Sequence, residues 1–133
     1  RPAAGEVEAV PVLHPLDKRT VGERLATSAL AAVYGRPGAR GGPQPIRAER
    51  VGDRVTVRFD GITGALRGTG EMFELCGEDA GTCRRVEAAV QPAQIVLPAR
   101  SGDARVRYCW GDAPRCSVRD AHTPVGPFET IIR

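Results

Sequence analysis

"IRAERVGDRVTVRFD", residues 46–60, is the stretch on which the fold turns. Val55, Val57 and Phe59 alternate with Arg54, Thr56 and Arg58, a period of two that sets apolar side chains on one face of an extended chain and polar ones on the other. Gly52 and Asp53 interrupt the run with a two-residue turn signal, so the segment predicts a half-buried hairpin. The same pattern continues toward the C-terminus. Residues 72–76, 84–90, 94–97, 105–110 and 128–132 read as further short strands separated by turn signals, which together predict a β-sandwich over residues 46–133.

In the other direction the period changes. "GRPGARGGPQP", residues 35–45, is dense in glycine and proline and predicts a linker over 36–45. Before it, Val21, Leu25, Ala29, Ala32 and Val33 recur at helical spacing while Lys18, Arg19, Glu23 and Arg24 take the other side. Asp17 is placed to cap this helix, Pro15 keeps His14 out of it, and Gly35 and Pro37 stop it. Residues 1–13 form a lead-in in which Val10, Val12 and Leu13 suggest a short extended stretch. The expected architecture is mainly β with one N-terminal helix, divided as 1–35, 36–45 and 46–133.

With 133 residues, the chain has room for one ordinary domain. It begins at Arg1 and its opening "RPAAGEVEAV" shows neither a signal-peptide core nor a transit pattern, so a processed or excised product is expected. No apolar run approaches the roughly 20 residues that span a bilayer, so no membrane partner is expected. The net charge is +3, from 18 Arg and Lys18 against 16 acids, and the basic residues are scattered rather than gathered into a stripe. That distribution argues against nucleic acid. The chain has no Asn and hence no N-glycosylation site.

The four cysteines form two C-x6-C units, Cys76 with Cys83 and Cys109 with Cys116, each enclosing a turn-rich loop. Three pairings are open to four cysteines, and local pairing is expected because each couple flanks one loop. Zinc is the rival, but six intervening residues exceed the two to four usual between paired zinc cysteines. Disulfides would place the chain in a secreted, lysosomal or periplasmic compartment.

His14 and His122 are the two histidines. By pattern alone His14 is either a packed or surface residue beside a helix cap, or a ring presented to a cleft as a general base. His122 reads as a solvated loop residue, Asp17 as a cap rather than a triad acid, and Tyr108 and Trp110 as core side chains on one strand that could alternatively stack on sugars.

"HPLDKRTVGERLATSALAAVYG", residues 14–35, resembles the "HPRNKxxVGxRLAxxALAxxYG" block of the sialate O-acetylesterases, carbohydrate esterases of the SGNH-hydrolase group. The likeness runs in order through "GPQPIRAERVGDRVTVRFD" (42–60), "FELCGEDAGTCRRVEAAV" (73–90) and "VRYCWGDAPRCSVRDAHTPVGPFET" (106–130). The resemblance implies that residues 1–35 are the last loop and helix of an α/β hydrolase domain whose remainder lies elsewhere, with the sandwich following it. It also implies that His14 is the catalytic base that activates a serine, which takes an acetyl group from an O-acetylated sialic acid or related sugar and passes it to water.

No serine precedes His14, and Ser28, Ser101 and Ser117 fall in the helix and in turns. The serine-bearing part is therefore expected upstream or in a partner chain. Pro11 stands where many such enzymes carry the Asp that orients the histidine, and Glu6 and Glu8 are the nearest upstream acids. No cofactor and no metal is implied. The alternative reading is a non-catalytic β-sandwich that binds carbohydrate or serves a structural role.

Overall fold

The computed structural model describes residues 17–36, 41–79, 81–112 and 114–133. The chain divides into two compact units between Ala39 and Arg40.

In the first unit, α1 (Lys18–Ala32) begins where the capping pattern places it. The Asp17 carboxylate accepts the Thr20 backbone N–H at 3.0 Å, filling one of the donors that a helix start leaves without a partner. Gly35 then takes a left-handed conformation, φ 55°, and the Arg36 N–H turns back to the Leu30 carbonyl at 3.0 Å. Val33 donates to Ala29 in the same closing turn. None of the helix's residues is buried, and Leu25 on its apolar stripe is 67% exposed.

The second unit is all β: β1 (Gln44–Val51), β2 (Arg54–Asp60), β3 (Phe73–Cys76), β4 (Arg84–Val86), β5 (Ala89–Val90), β6 (Gln94–Pro98), β7 (Arg105–Tyr108) and β8 (Phe128–Ile131). They form two antiparallel four-stranded sheets, ordered β1-β2-β6-β5 and β4-β3-β7-β8. The hairpin read from the sequence joins β1 to β2, with Val51 opposite Arg54 across Gly52 and Asp53. Gln44 and Pro45, assigned to the linker by composition, are the first residues of β1; residues 37–40 lie outside those described.

Alternation becomes burial directly. Val55 and Val57 on β2 and Ile95 and Leu97 on β6 are fully buried, and they face Phe73, Leu75, Val106 and Tyr108 of the other sheet. Each such side chain removed from water contributes roughly 1.5–3 kcal/mol. Phe73 and Tyr108 stack with ring centroids 4.5 Å apart, and Phe59 meets Phe128 edge-on at 5.7 Å. The sheets also join through the backbone at one corner. Past β8, Ile132 bridges Ala48 in parallel, and the Arg133 N–H donates to the Ala48 carbonyl at 2.9 Å.

Two expected strands change course. The run 84–90 splits into β4 and β5, which belong to different sheets, because the chain crosses between layers at Ala88, whose N–H donates to the Gly70 carbonyl at 2.9 Å. The approach is so close that a Cβ built on Gly70 would lie 1.6 Å from the Ala88 carbonyl oxygen. The run 105–110 ends at Tyr108, since Cys109 adopts φ 60° and its N–H turns to the Met72 carbonyl at 3.0 Å. Met72, itself at φ 65°, likewise precedes β3 rather than opening it.

Candidate functional site

His14 lies outside the described residues, as do Pro11, Glu6 and Glu8. What the structure does describe is the cap three residues further on. Asp17 is occupied by its hydrogen bond with Thr20, which holds its carboxyl below the usual carboxylate range, so capping accounts for this acid. Ser28 is exposed on α1 and Ser101 is exposed in a turn. The Ser117 hydroxyl is engaged by the Thr69 backbone N–H and hydroxyl, both at 2.9 Å. This exposed serine ties its loop to that of Thr69.

The cysteines pair locally, Cys76 with Cys83 and Cys109 with Cys116, at Cα separations of 4.0 and 5.7 Å. Glu74 lies beside the first pair, within 4.8 Å of both sulfurs. Those sulfurs are bonded to each other, so the group is a disulfide with a carboxylate neighbour and cannot offer thiolates to zinc.

The richest polar constellation is on the outward face of the second sheet. Strand register aligns Arg85, Glu74, Arg107 and Glu129 in one row across its four strands, with charges alternating in sign. The Arg107 Nε donates to Glu129, which also accepts from Arg105 Nη1 at 3.3 Å. The hydrogen bond from Arg107 keeps the Glu129 carboxyl below its usual range, against the small cost of its burial, and the Arg105 charge assists. Arg107 Nη1 also reaches Cys83 Sγ at 3.3 Å, and its guanidinium carbon sits 4.7 Å from the centroid of the Trp110 ring.

Trp110 is therefore not the core residue that strand alternation predicts. Tyr108 is fully buried and its hydroxyl accepts the Val118 N–H at 3.0 Å, while burial pushes its pKa up. Two residues later Trp110 is 47% exposed, because the left-handed turn at Cys109 breaks the alternation.

A second polar centre is structural. Asp120 is 2% exposed; its Oδ1 accepts the N–H groups of His122 (2.8 Å) and Thr123 (2.7 Å) and its Oδ2 that of Thr63 (2.9 Å). Burial opposes ionisation of this carboxyl, but the three backbone donors outweigh it and hold the pKa below the usual range. The His122 side chain is exposed, in keeping with a solvated loop residue. A shallow groove beside β1 is lined by Gly41, Gly42, Gln44, Ile46, Asp60 and Gly61, a set with one carboxylate and neither a nucleophile nor a histidine.

The fold class is thus a mainly β chain with a helix ahead of a two-sheet sandwich. No protein-family model matches the chain, and no curated protein matches it. Among solved structures it is similar to a carbohydrate acetylesterase from Xanthomonas citri, at 27% identity and a TM-score of 0.68, over 89% of this chain. The chain spans 29% of that enzyme's length. The relationship is to a carbohydrate esterase, over part of the esterase chain.

Proposed function

We propose that the chain is the C-terminal portion or subunit of a carbohydrate O-acetylesterase and contributes His14 as the base of a serine esterase mechanism. The observation that carries this reading is the likeness to a carbohydrate acetylesterase across 89% of the chain. The serine lies in the upstream or partner segment. In the proposed reaction, His14 removes the proton from the serine hydroxyl as that oxygen attacks the acetyl carbonyl, and returns it to the departing sugar oxygen. Water, deprotonated by the same imidazole, then releases acetate from the acyl-enzyme. The substrate class is an O-acetylated sugar, and O-acetylated sialic acid is the specific candidate that the resemblance of residues 14–35 supports. Two disulfides suit a secreted, lysosomal or periplasmic setting, and no described helix is long and apolar enough to cross a membrane.

The test is acetate release from O-acetylated sialic acid and from acetylated xylan, using the complete enzyme with and without His14→Ala. The expected result is a fall in kcat of about 10⁴-fold with KM little changed, and no turnover by the 133-residue chain alone. A His14→Ala enzyme that keeps kcat within about threefold of the parent removes His14 from the mechanism.

A further inference from the structure

We propose that the exposed indole of Trp110, backed by Arg107, is a platform on which a pyranose ring of a carbohydrate chain stacks. The choice of ligand class rests on the carbohydrate-esterase reading; the geometry that makes a platform does not.

Three features build it. First, the backbone is bent to present the ring. Cys109 is a non-glycine residue at φ 60°, a region that side chains disfavour; its N–H donates to the Met72 carbonyl at 3.0 Å and its sulfur is bonded to Cys116. Without that turn Trp110 would point the same way as buried Tyr108 two residues earlier. Second, the ring is supported. The Arg107 side chain is only 15% exposed and is fixed by Glu129, by Cys83 Sγ and by the indole itself, whereas Trp110 is 47% exposed. The guanidinium thus lies over the indole, and about half of the Trp110 surface stays open to solvent. Third, the polar group behind the ring is fixed in place, because Arg107 shares the Glu129 carboxylate with Arg105, whose guanidinium is itself anchored on the Gly77 carbonyl at 3.1 Å.

A pyranose ring matches this arrangement. Its axial C–H face is apolar and stacks on an aromatic plane, while its equatorial hydroxyls take hydrogen bonds from guanidinium and give them to carboxylate. The row Arg85, Glu74, Arg107 and Glu129, with Arg105 beside it, holds three cations and two anions, so neutral and anionic sugars both fit by charge.

Trp110 is the only tryptophan of the chain, so its fluorescence reports this place alone. The intact 133-residue chain is titrated with xylohexaose, cellohexaose and 3′-sialyllactose, which separates a neutral from an anionic preference. We expect a saturable change in Trp110 emission with at least one probe, at a Kd of about 0.1–1 mM. By calorimetry, Trp110→Ala should weaken binding about tenfold or more, Trp110→Phe less, and Val51→Ala, at an exposed position on the first sheet, not at all. Absence of saturation with every probe to about 10 mM, or equal affinity in Trp110→Ala, overturns the proposal. So does an indole shielded from acrylamide in the complete enzyme, which would mark this face as covered by the rest of the protein. Sugar binding by an enzyme without deacetylase activity would keep the platform and dismiss the esterase reading; activity without binding would do the reverse.

Discussion

Asp120 offers the sharpest test of how the sandwich is held. Its carboxylate gathers three backbone N–H groups, two from its own turn and one from Thr63, 57 positions away in sequence. Replacing it by Ala strands all three donors. A hydrogen bond to a charged acceptor is worth roughly 1.5–3 kcal/mol, but Thr63 and His122 are near solvent and water can take part of their demand. The net cost of Asp120→Ala should therefore be about 2–4 kcal/mol, less than the sum of three bonds. Asp120→Asn can keep both Oδ1 bonds but sets an amide donor against the Thr63 N–H, so about 1–2 kcal/mol is expected.

Urea unfolding near pH 7 measures both. The same comparison in acid tests the charge. The folded-state pKa of Asp120 is depressed, so its contribution is complete above the unfolded carboxyl pKa of about 3.9 and is lost as the pH falls through the lower folded value. The gap between the parent and Asp120→Asn should therefore narrow as the pH falls below the unfolded carboxyl value. An Asp120→Ala chain within about 0.5 kcal/mol of the parent near pH 7, or a gap that stays constant into acid, would refute this account.

Two further outcomes follow from backbone geometry and from the disulfides. Gly70→Ala would drive a methyl group into the Ala88 carbonyl, which is backbone and cannot swing away; a loss of about 3 kcal/mol or more is expected in urea unfolding, or an insoluble product. Replacing Cys109 and Cys116 together with Ser opens a loop of sequence separation 7, and chain entropy sets the loss at about 2.5 kcal/mol. Mass analysis of the parent after alkylation without reductant should show no modified thiol.

The hairpin that joins β1 and β2 was legible in the sequence because its signals are local. Residues 54–60 alternate without interruption, and Gly52-Asp53 marks the only place where so regular a run can fold back on itself. Asp17 was equally readable, since a cap acts on the turn that follows it. The split of 84–90 was not. Val86, Ala88 and Val90 keep a period of two across the break, and what parts the strand is Gly70, remote in sequence, accepting the Ala88 N–H. Trp110 failed for a related reason. Its parity with Tyr108 predicts burial, and the left-handed φ of Cys109, where the chain hydrogen-bonds back to Met72, reverses it. The Arg107 and Glu129 pair depends on the register between β7 and β8, although Arg105 and Arg107 alternating with Val106 and Tyr108 do mark an outward face.

The two disulfides take on a common purpose once the register is known. Cys76 ends β3 opposite Arg105, where β7 begins, while Cys109 follows the end of β7 and hydrogen-bonds Met72, which precedes β3. The two covalent links thus lie at opposite ends of the same antiparallel pair, the central pair of the second sheet. That sheet has reason to need them. Its strands run to four residues at most, and β4 at one edge has three, whereas β1 and β2 of the first sheet pair over seven positions. Its outward face is also charged, so burial on that side adds little. Arg107 connects the two ends of this arrangement, touching Cys83 of one disulfide loop and the Trp110 ring of the other. Reduction of either bond should therefore loosen the seat of Trp110 as well as the sheet, and the environment of that single indole should change before the first sheet unfolds.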